Sequence, residues 1–297
     1  MTKTTAADVY EITTARIVAA IEAGAGTWTM PWNTTRGGFP FNPTTKVRYR
    51  GGNVLVLMAA AIGREYPTAA WATYKQWVAV DAQVRLGEKG TTAIYWGRRK
   101  PKPGEEEAGD RGRLFPSVFS LFNAAQVDGW ESPADTRDTP AAIEEAEKFF
   151  AAIPAKVIHS LEGRAYYAPA ADHIMLPPLE TFDTAPAYYA TRAHESAHWT
   201  APKGRCDRDL SGRFGDNAYA AEELVAELSA AFTCATIGIS TTPRPDHAAY
   251  LAHWLRVLKA DPKALFTAAS KAQAATDYLV KFTAPAGAPA EEEMAAV

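Results

Sequence analysis

The sequence predicts an α+β fold in two domains: a small mixed α/β domain, then a mostly helical one with a short β-sheet. Three observations lead there. Charge is divided, with 16 Lys and Arg against 11 Asp and Glu in residues 1–130, and 15 against 23 in residues 131–297. Tryptophan is divided likewise, since Trp28, Trp32, Trp71, Trp77, Trp96 and Trp130 precede residue 131 and only Trp199 and Trp254 follow it. Between the two parts, Ser132 to Pro140 is a polar stretch flanked by prolines, the composition of a linker. The expected division is therefore 1–130, a linker at 131–140, a second domain at 141–283, and a disordered Pro/Ala/Glu tail at 284–297.

The elements follow in order. Residues 5–23 form a helix with Val9, Ile12, Ile17, Val18 and Ile21 on its apolar side, closed by Gly24. A Gly/Pro/Asn-rich stretch presents Trp28 and Trp32, and residues 54–62 read as a buried helix ended by Gly63. Strands are expected at 91–96 and 114–122, joined by a charged segment at 98–112 that is a hairpin tip or a disordered loop. After the linker come a helix at 141–152, a strand at 156–158 and a β-hairpin at 164–177. Late helices are expected near 246–259 and 262–281.

No apolar run reaches the 18 or so residues of a membrane span, and the N-terminus lacks the basic-then-apolar build of a signal peptide, so a cytoplasmic protein without membrane contact is expected. Cys206 and Cys234 do not make a disulfide framework.

Chemistry concentrates in His194-Glu195-Ser196-Ala197-His198. On a helix the two histidines lie one turn apart on one face and can share a metal ion, while Glu195 is placed to take a proton from water as general base. A third ligand is expected from the Ala/Leu-rich helix that begins near Tyr219, where Tyr219, Glu223 and Glu227 share a face. Glu223 is the favoured ligand and Glu227 the alternative; the remaining carboxylate can hold a histidine through its free ring nitrogen. Glu222 falls off that face and is expected to solvate the helix surface. Tyr219 is a candidate donor to a developing oxyanion. Two imidazoles and a carboxylate suit Zn²⁺, or another divalent ion such as Mn²⁺. The loop from Pro202 to Asp216, with Arg205, Arg208 and Arg213, can roof such a site or bind an anion. His159, His173, His247 and His253 are not at ligand spacing and are read as structural.

In the basic part, cations interleave with aromatics over residues 28–102, a pattern suited to single-stranded nucleic acid. Trp28, Trp32, Lys46, Arg48, Tyr49, Arg50 and Lys75 are the candidate contacts, whereas Trp71 and Trp77 are expected in the core.

Met30-Pro31-Trp32, Tyr49-Arg50-Gly51-Gly52-Asn53 and Thr73-Tyr74-Lys75-Gln76, together with the histidine motif and Tyr219 to Glu227, resemble the ArdC-type antirestriction proteins of conjugative plasmids. The chain departs from that pattern at Gly51-Gly52, where a single glycine followed by a bulkier residue is expected. The resemblance implies an N-terminal single-stranded-DNA-binding domain, a C-terminal zincin-like metallopeptidase domain, and protection of incoming plasmid DNA from host restriction. The protein substrate stays open, a host restriction component being one candidate. The rival reading is a protein that coats single-stranded DNA and whose metal site is structural or inactive. A metal-dependent nuclease fits less well, because such sites favour clustered carboxylates over paired histidines.

Overall fold

The structure, a computed structural model, describes residues 5–23, 39–99, 113–131, 138–210, 217–240 and 247–283. Helix α1 (Ala6–Ala23) is amphipathic and buries Val9, Ile17 and Ile21; Ile12, counted above on that face, is 46% exposed, one-third of a turn off the buried stripe. Helix α2 (Gly52–Gly63) is apolar nearly all round because it is covered nearly all round: Val54 to Ala60 are all buried. A short helix α3 (Tyr74–Val78) follows β1 (Trp71–Ala72), and its capping box joins Thr73 to Gln76.

Strands β3 (Thr91–Arg99) and β4 (Arg113–Asn123) form a long antiparallel ladder from Thr91–Leu121 to Arg99–Arg113, with β1 added on the other side of β4. The pair β2 (Gln83–Val84) and β5 (Val127–Asp128) closes this part over Trp77, which is fully buried.

Beyond Asp138, α4 (Pro140–Ala152) is capped by the Thr139 side chain and leads to a mixed sheet. In that sheet β8 (His173–Leu176) lies between β6 (Lys156–His159), parallel to it, and β7 (Tyr166–Ala168), antiparallel. Four α-helices follow among the described residues: α5 (Ala185–Trp199), α6 (Asn217–Ile237), α7 (His247–Ala260) and α8 (Ala264–Val280). Among the described residues, no helix is long and apolar enough to cross a membrane.

Among the described residues, the largest hydrophobic cluster draws on both parts of the sequence. It joins Ile17, Tyr49, Leu55, Trp71 and Leu121 to Leu224, Phe232, Trp254 and Leu265. Helix α8 is the common wall, packed against α2 on one side and α6 on the other. Residues 49–53 make this junction. The Tyr49 hydroxyl donates to the Trp71 carbonyl (2.9 Å), Arg50 pairs with Asp277 (2.5 Å), and the Gly51 N–H donates to Gln273 (3.2 Å). Asn53 brackets the Ile94 backbone, donating to its carbonyl at 2.7 Å and accepting its N–H at 2.9 Å. The two glycines have separate reasons. Gly51 adopts φ +54°, and a Cβ on Gly52 would lie 2.3 Å from the Phe266 ring.

Candidate metal centre

Helix α5 starts at Thr184, whose side chain accepts the Ala187 N–H, and Pro186 stiffens its first turn. Its last two turns are almost wholly buried, from Ala193 to Ala197 and at Trp199. Polar residues in such a place need partners, and α6 supplies them.

The three expected ligands converge. His194 Nε2 lies 3.2 Å from His198 Nε2, and the two Glu223 oxygens lie 3.5 Å from the first ring and 3.4 Å from the second. One donor atom from each residue falls within 4.8 Å of the others. The outer nitrogen of each ring faces its own carboxylate: His194 Nδ1 is 3.4 Å from Glu227, and His198 Nδ1 is 3.3 Å from Glu222. Carboxylates accept protons, so an N–H at Nδ1 suits both rings, and Nε2 is the nitrogen each ring turns toward Glu223.

Glu222 therefore does not solvate the helix surface. It is buried, it meets His198, and Arg208 holds it with Nε at 3.0 Å and Nη2 at 2.8 Å. Adjacent residues on a helix point about 100° apart, which is how Glu222 and Glu223 reach opposite nitrogens of one ring. The same pairing answers the anion-binding expectation for the following loop. Arg208 is committed to Glu222, and Arg205 to Asp172 (2.7 Å) and the Tyr167 hydroxyl (3.0 Å), with its guanidinium 4.4 Å from the Trp199 ring. Arg213 lies outside the described residues.

Burial alone would lower the His198 pKa. Hydrogen bonds to Glu222 and Glu223, with the charges of Glu223 and Glu195, outweigh it and push the imidazole up to about 10. Burial acts to raise Glu223, yet its contacts with both histidines hold it well below the usual carboxylate range. Glu195 is 2% exposed, next to His194 on the same helix. With Glu222 neutralised by Arg208, three buried carboxylates (Glu195, Glu223 and Glu227) surround two imidazoles. A divalent cation fits the chemistry of this set of donors. Tyr219 is half-buried one turn before Glu223.

The candidate nucleic-acid contacts divide. Lys46, Arg48, Arg50 and Lys75 are exposed, Arg50 within its ion pair to Asp277. Tyr49 is 4% exposed with its hydroxyl bonded inside the core, so its ring is not available to stack on a base. The backbone explains it: successive residues of an extended segment alternate in direction, sending Arg48 and Arg50 out and Tyr49 in. Trp28 and Trp32 lie outside the described residues, and Trp71 and Trp77 are fully buried as expected.

Comparison with known proteins bears on the whole chain. Residues 7–124 match the N-terminal domain of anti-restriction factor ArdC, and residues 144–271 match the zincin-like metallopeptidase family. The uncharacterized protein y4eC of Sinorhizobium fredii (strain NBRC 101917 / NGR234) is 43% identical over 288 residues, covering 94% of this chain and 93% of y4eC. A DNA primase TraC of Escherichia coli is 38% identical over 92% of this chain, which spans only 27% of that longer protein. Among solved structures, the antirestriction protein ArdC from plasmid R388 in its Mn(II)-bound form superposes with a TM-score of 0.74. It is 38% identical, over 93% of this chain and 98% of that one. Its metal-free form superposes equally, at 39% identity. With both halves matched in order, and with y4eC and the R388 protein covered almost end to end, the chain belongs to the ArdC family of antirestriction proteins, with a zincin-like domain as its second part.

Proposed function

We propose that this protein is a divalent-metal-dependent peptidase whose N-terminal half binds single-stranded DNA, and that it protects incoming conjugative plasmid DNA from host restriction. The observation that carries the peptidase reading is the convergence of His194, His198 and Glu223 within 4.8 Å, with the buried carboxylate of Glu195 beside them. His194, His198 and Glu223 would hold the cation, Zn²⁺ or Mn²⁺, and Glu227 would fix the His194 ring. The cation, when bound, supplies Lewis acidity toward a peptide carbonyl and toward water. Glu195 accepts the proton of the attacking water and returns it to the departing amine, the work of a carboxylate held out of bulk solvent. Tyr219 offers a phenol to the carbonyl oxygen as it gains charge.

For the nucleic-acid half, exposed Lys46, Arg48, Arg50 and Lys75 supply phosphate contacts, and Trp28 and Trp32 supply stacking rings. The resemblance to plasmid R388 ArdC supports the antirestriction role.

The test compares the parent with Glu195→Gln on a generic unfolded protein, with and without single-stranded DNA. The variant keeps its metal and loses hydrolysis; equal cleavage rates would remove the peptidase assignment. If Glu195→Gln still protects transferred DNA as well as the parent, protection in that assay comes from binding the strand. Tighter binding of single-stranded than duplex DNA, weakening as salt rises, is expected of the N-terminal half.

A further inference from the structure

We infer that Arg208 is a positioning residue for the metal ligand His198, acting through Glu222, and that it ties the metal site to the loop after the motif helix. The inference rests on the metal reading above and names residues that reading does not use.

Its basis is the set of bonds that Arg208 makes. Nε and Nη2 both reach the Glu222 carboxylate, Nη2 also donates to the Ala197 carbonyl at 2.7 Å, and Nη1 donates to Thr200 Oγ1 at 2.9 Å. The side chain is 3% exposed, so the guanidinium has left water and depends on these partners. Two of these contacts therefore grip the end of α5 on either side of His198, while the pair with Glu222 grips the imidazole from α6. A planar fork can hold a carboxylate and neighbouring carbonyl and hydroxyl groups at once; a lysine ammonium cannot span them.

The consequence falls on His198 Nδ1. A carboxylate loosened from Arg208 is free to turn away from the ring, and the ring then loses the partner that fixes its orientation. The loop shares in this arrangement. The Cys206 N–H bonds to the Thr200 carbonyl (2.8 Å) and the Arg208 N–H to the Ala201 carbonyl (2.7 Å), while Arg205 grips the turn between β7 and β8 through Asp172. Loss of Arg208 would thus loosen one of the side-chain anchors of this loop.

The experiment titrates the full-length protein with Co²⁺, read by its visible absorption bands, and then with Zn²⁺ against a chromophoric chelator. The set comprises the parent, Arg208→Ala, Arg208→Lys, Glu222→Gln and the Arg208→Ala/Glu222→Gln double variant. Arg208→Ala and Glu222→Gln each weaken metal binding about 10- to 100-fold and alter the cobalt bands. The double variant is no worse than the weaker single, because both changes break one connection. Arg208→Lys recovers part of the loss. Variants that melt earlier yet bind metal within twofold of the parent, with unchanged cobalt bands, would overturn the inference and leave Arg208 as a loop anchor only. Additive losses in the double variant would also overturn it. A parent that binds no cobalt would instead overturn the metal reading, and the inference with it.

Discussion

Replacing Leu265 by Ala tests whether the two parts of the chain fold as one unit. Leu265 is fully buried on α8, in the cluster that also holds Leu55 and Trp71 of the N-terminal part and Leu224 of α6. Removing a leucine side chain from such a site costs about 2–5 kcal/mol, the upper part of that range applying where neighbours cannot collapse. Helices pinned on both sides collapse poorly, so about 3 kcal/mol or more is expected here. At roughly 3 kcal/mol per molar urea, for a chain larger than the usual small domains, that moves the midpoint down by about 1 M. The assay is pulsed hydrogen exchange across a urea series, read peptide by peptide. Peptides from α2 and from β3–β4 should lose protection at the same lowered midpoint as peptides from α6 and α8. If the N-terminal peptides keep the parent's midpoint while only the later helices shift, the shared core does not couple the two parts and the reasoning fails.

Four further outcomes are expected. Gly52→Ala forces the Phe266 ring aside and destabilises by about 1–3 kcal/mol in a thermal melt, much of it recovered by adding Phe266→Ala; a single variant as stable as the parent would mean the ring yields freely. Tyr49→Phe leaves the Trp71 carbonyl without its partner and costs about 1 kcal/mol, with no change in affinity for single-stranded DNA; a marked affinity loss in the folded variant would return Tyr49 to the binding surface. Hydrogen bonds from Arg205 hold the Asp172 pKa below its ordinary value. That stabilisation is complete above the unfolded pKa, near 4, and is lost as pH falls through the folded value, so the stability gap between parent and Arg205→Ala narrows below about pH 4. A gap constant from pH 7 to pH 3 contradicts this. Glu227→Gln should weaken metal binding about 10- to 100-fold; since metal at 100 times Kd stabilises by about 2.7 kcal/mol, the metal-induced rise in melting temperature shrinks too, and an undiminished rise would sever Glu227 from the site.

Periodicity made most of the helices legible, along with the β3–β4 ladder, because each has a long apolar pattern that agrees with its local propensity. The approach of His194 and His198 was legible for the same reason: four-residue spacing on a helix is geometry that tertiary packing leaves intact. Glu222 was misread because counting along one helix face ignores what leans over its edge. The ring of His198 and the returning Arg208 come from other elements, and no period within α6 reports them. Tyr49 was grouped with its cationic neighbours on composition, whereas strand alternation turns its ring into the core and leaves Arg48 and Arg50 exposed. The Gly51-Gly52 departure needed helix α8, since the Phe266 ring occupies the space a side chain at 52 would need.

The order of synthesis gives helix α8 a further importance. Arg50 and Asp277 are separated by 227 positions, so at the usual 5–20 residues per second the ribosome needs roughly 10–45 s to make the partner after it has made the receptor surface. Throughout that interval the oily run from Val54 to Ala60 lacks the wall that α8 gives it. A nascent chain in this state is a natural client for holding chaperones, and the emergence of α8 is what releases it. That wait sets an early limit on when a newly made copy can finish folding.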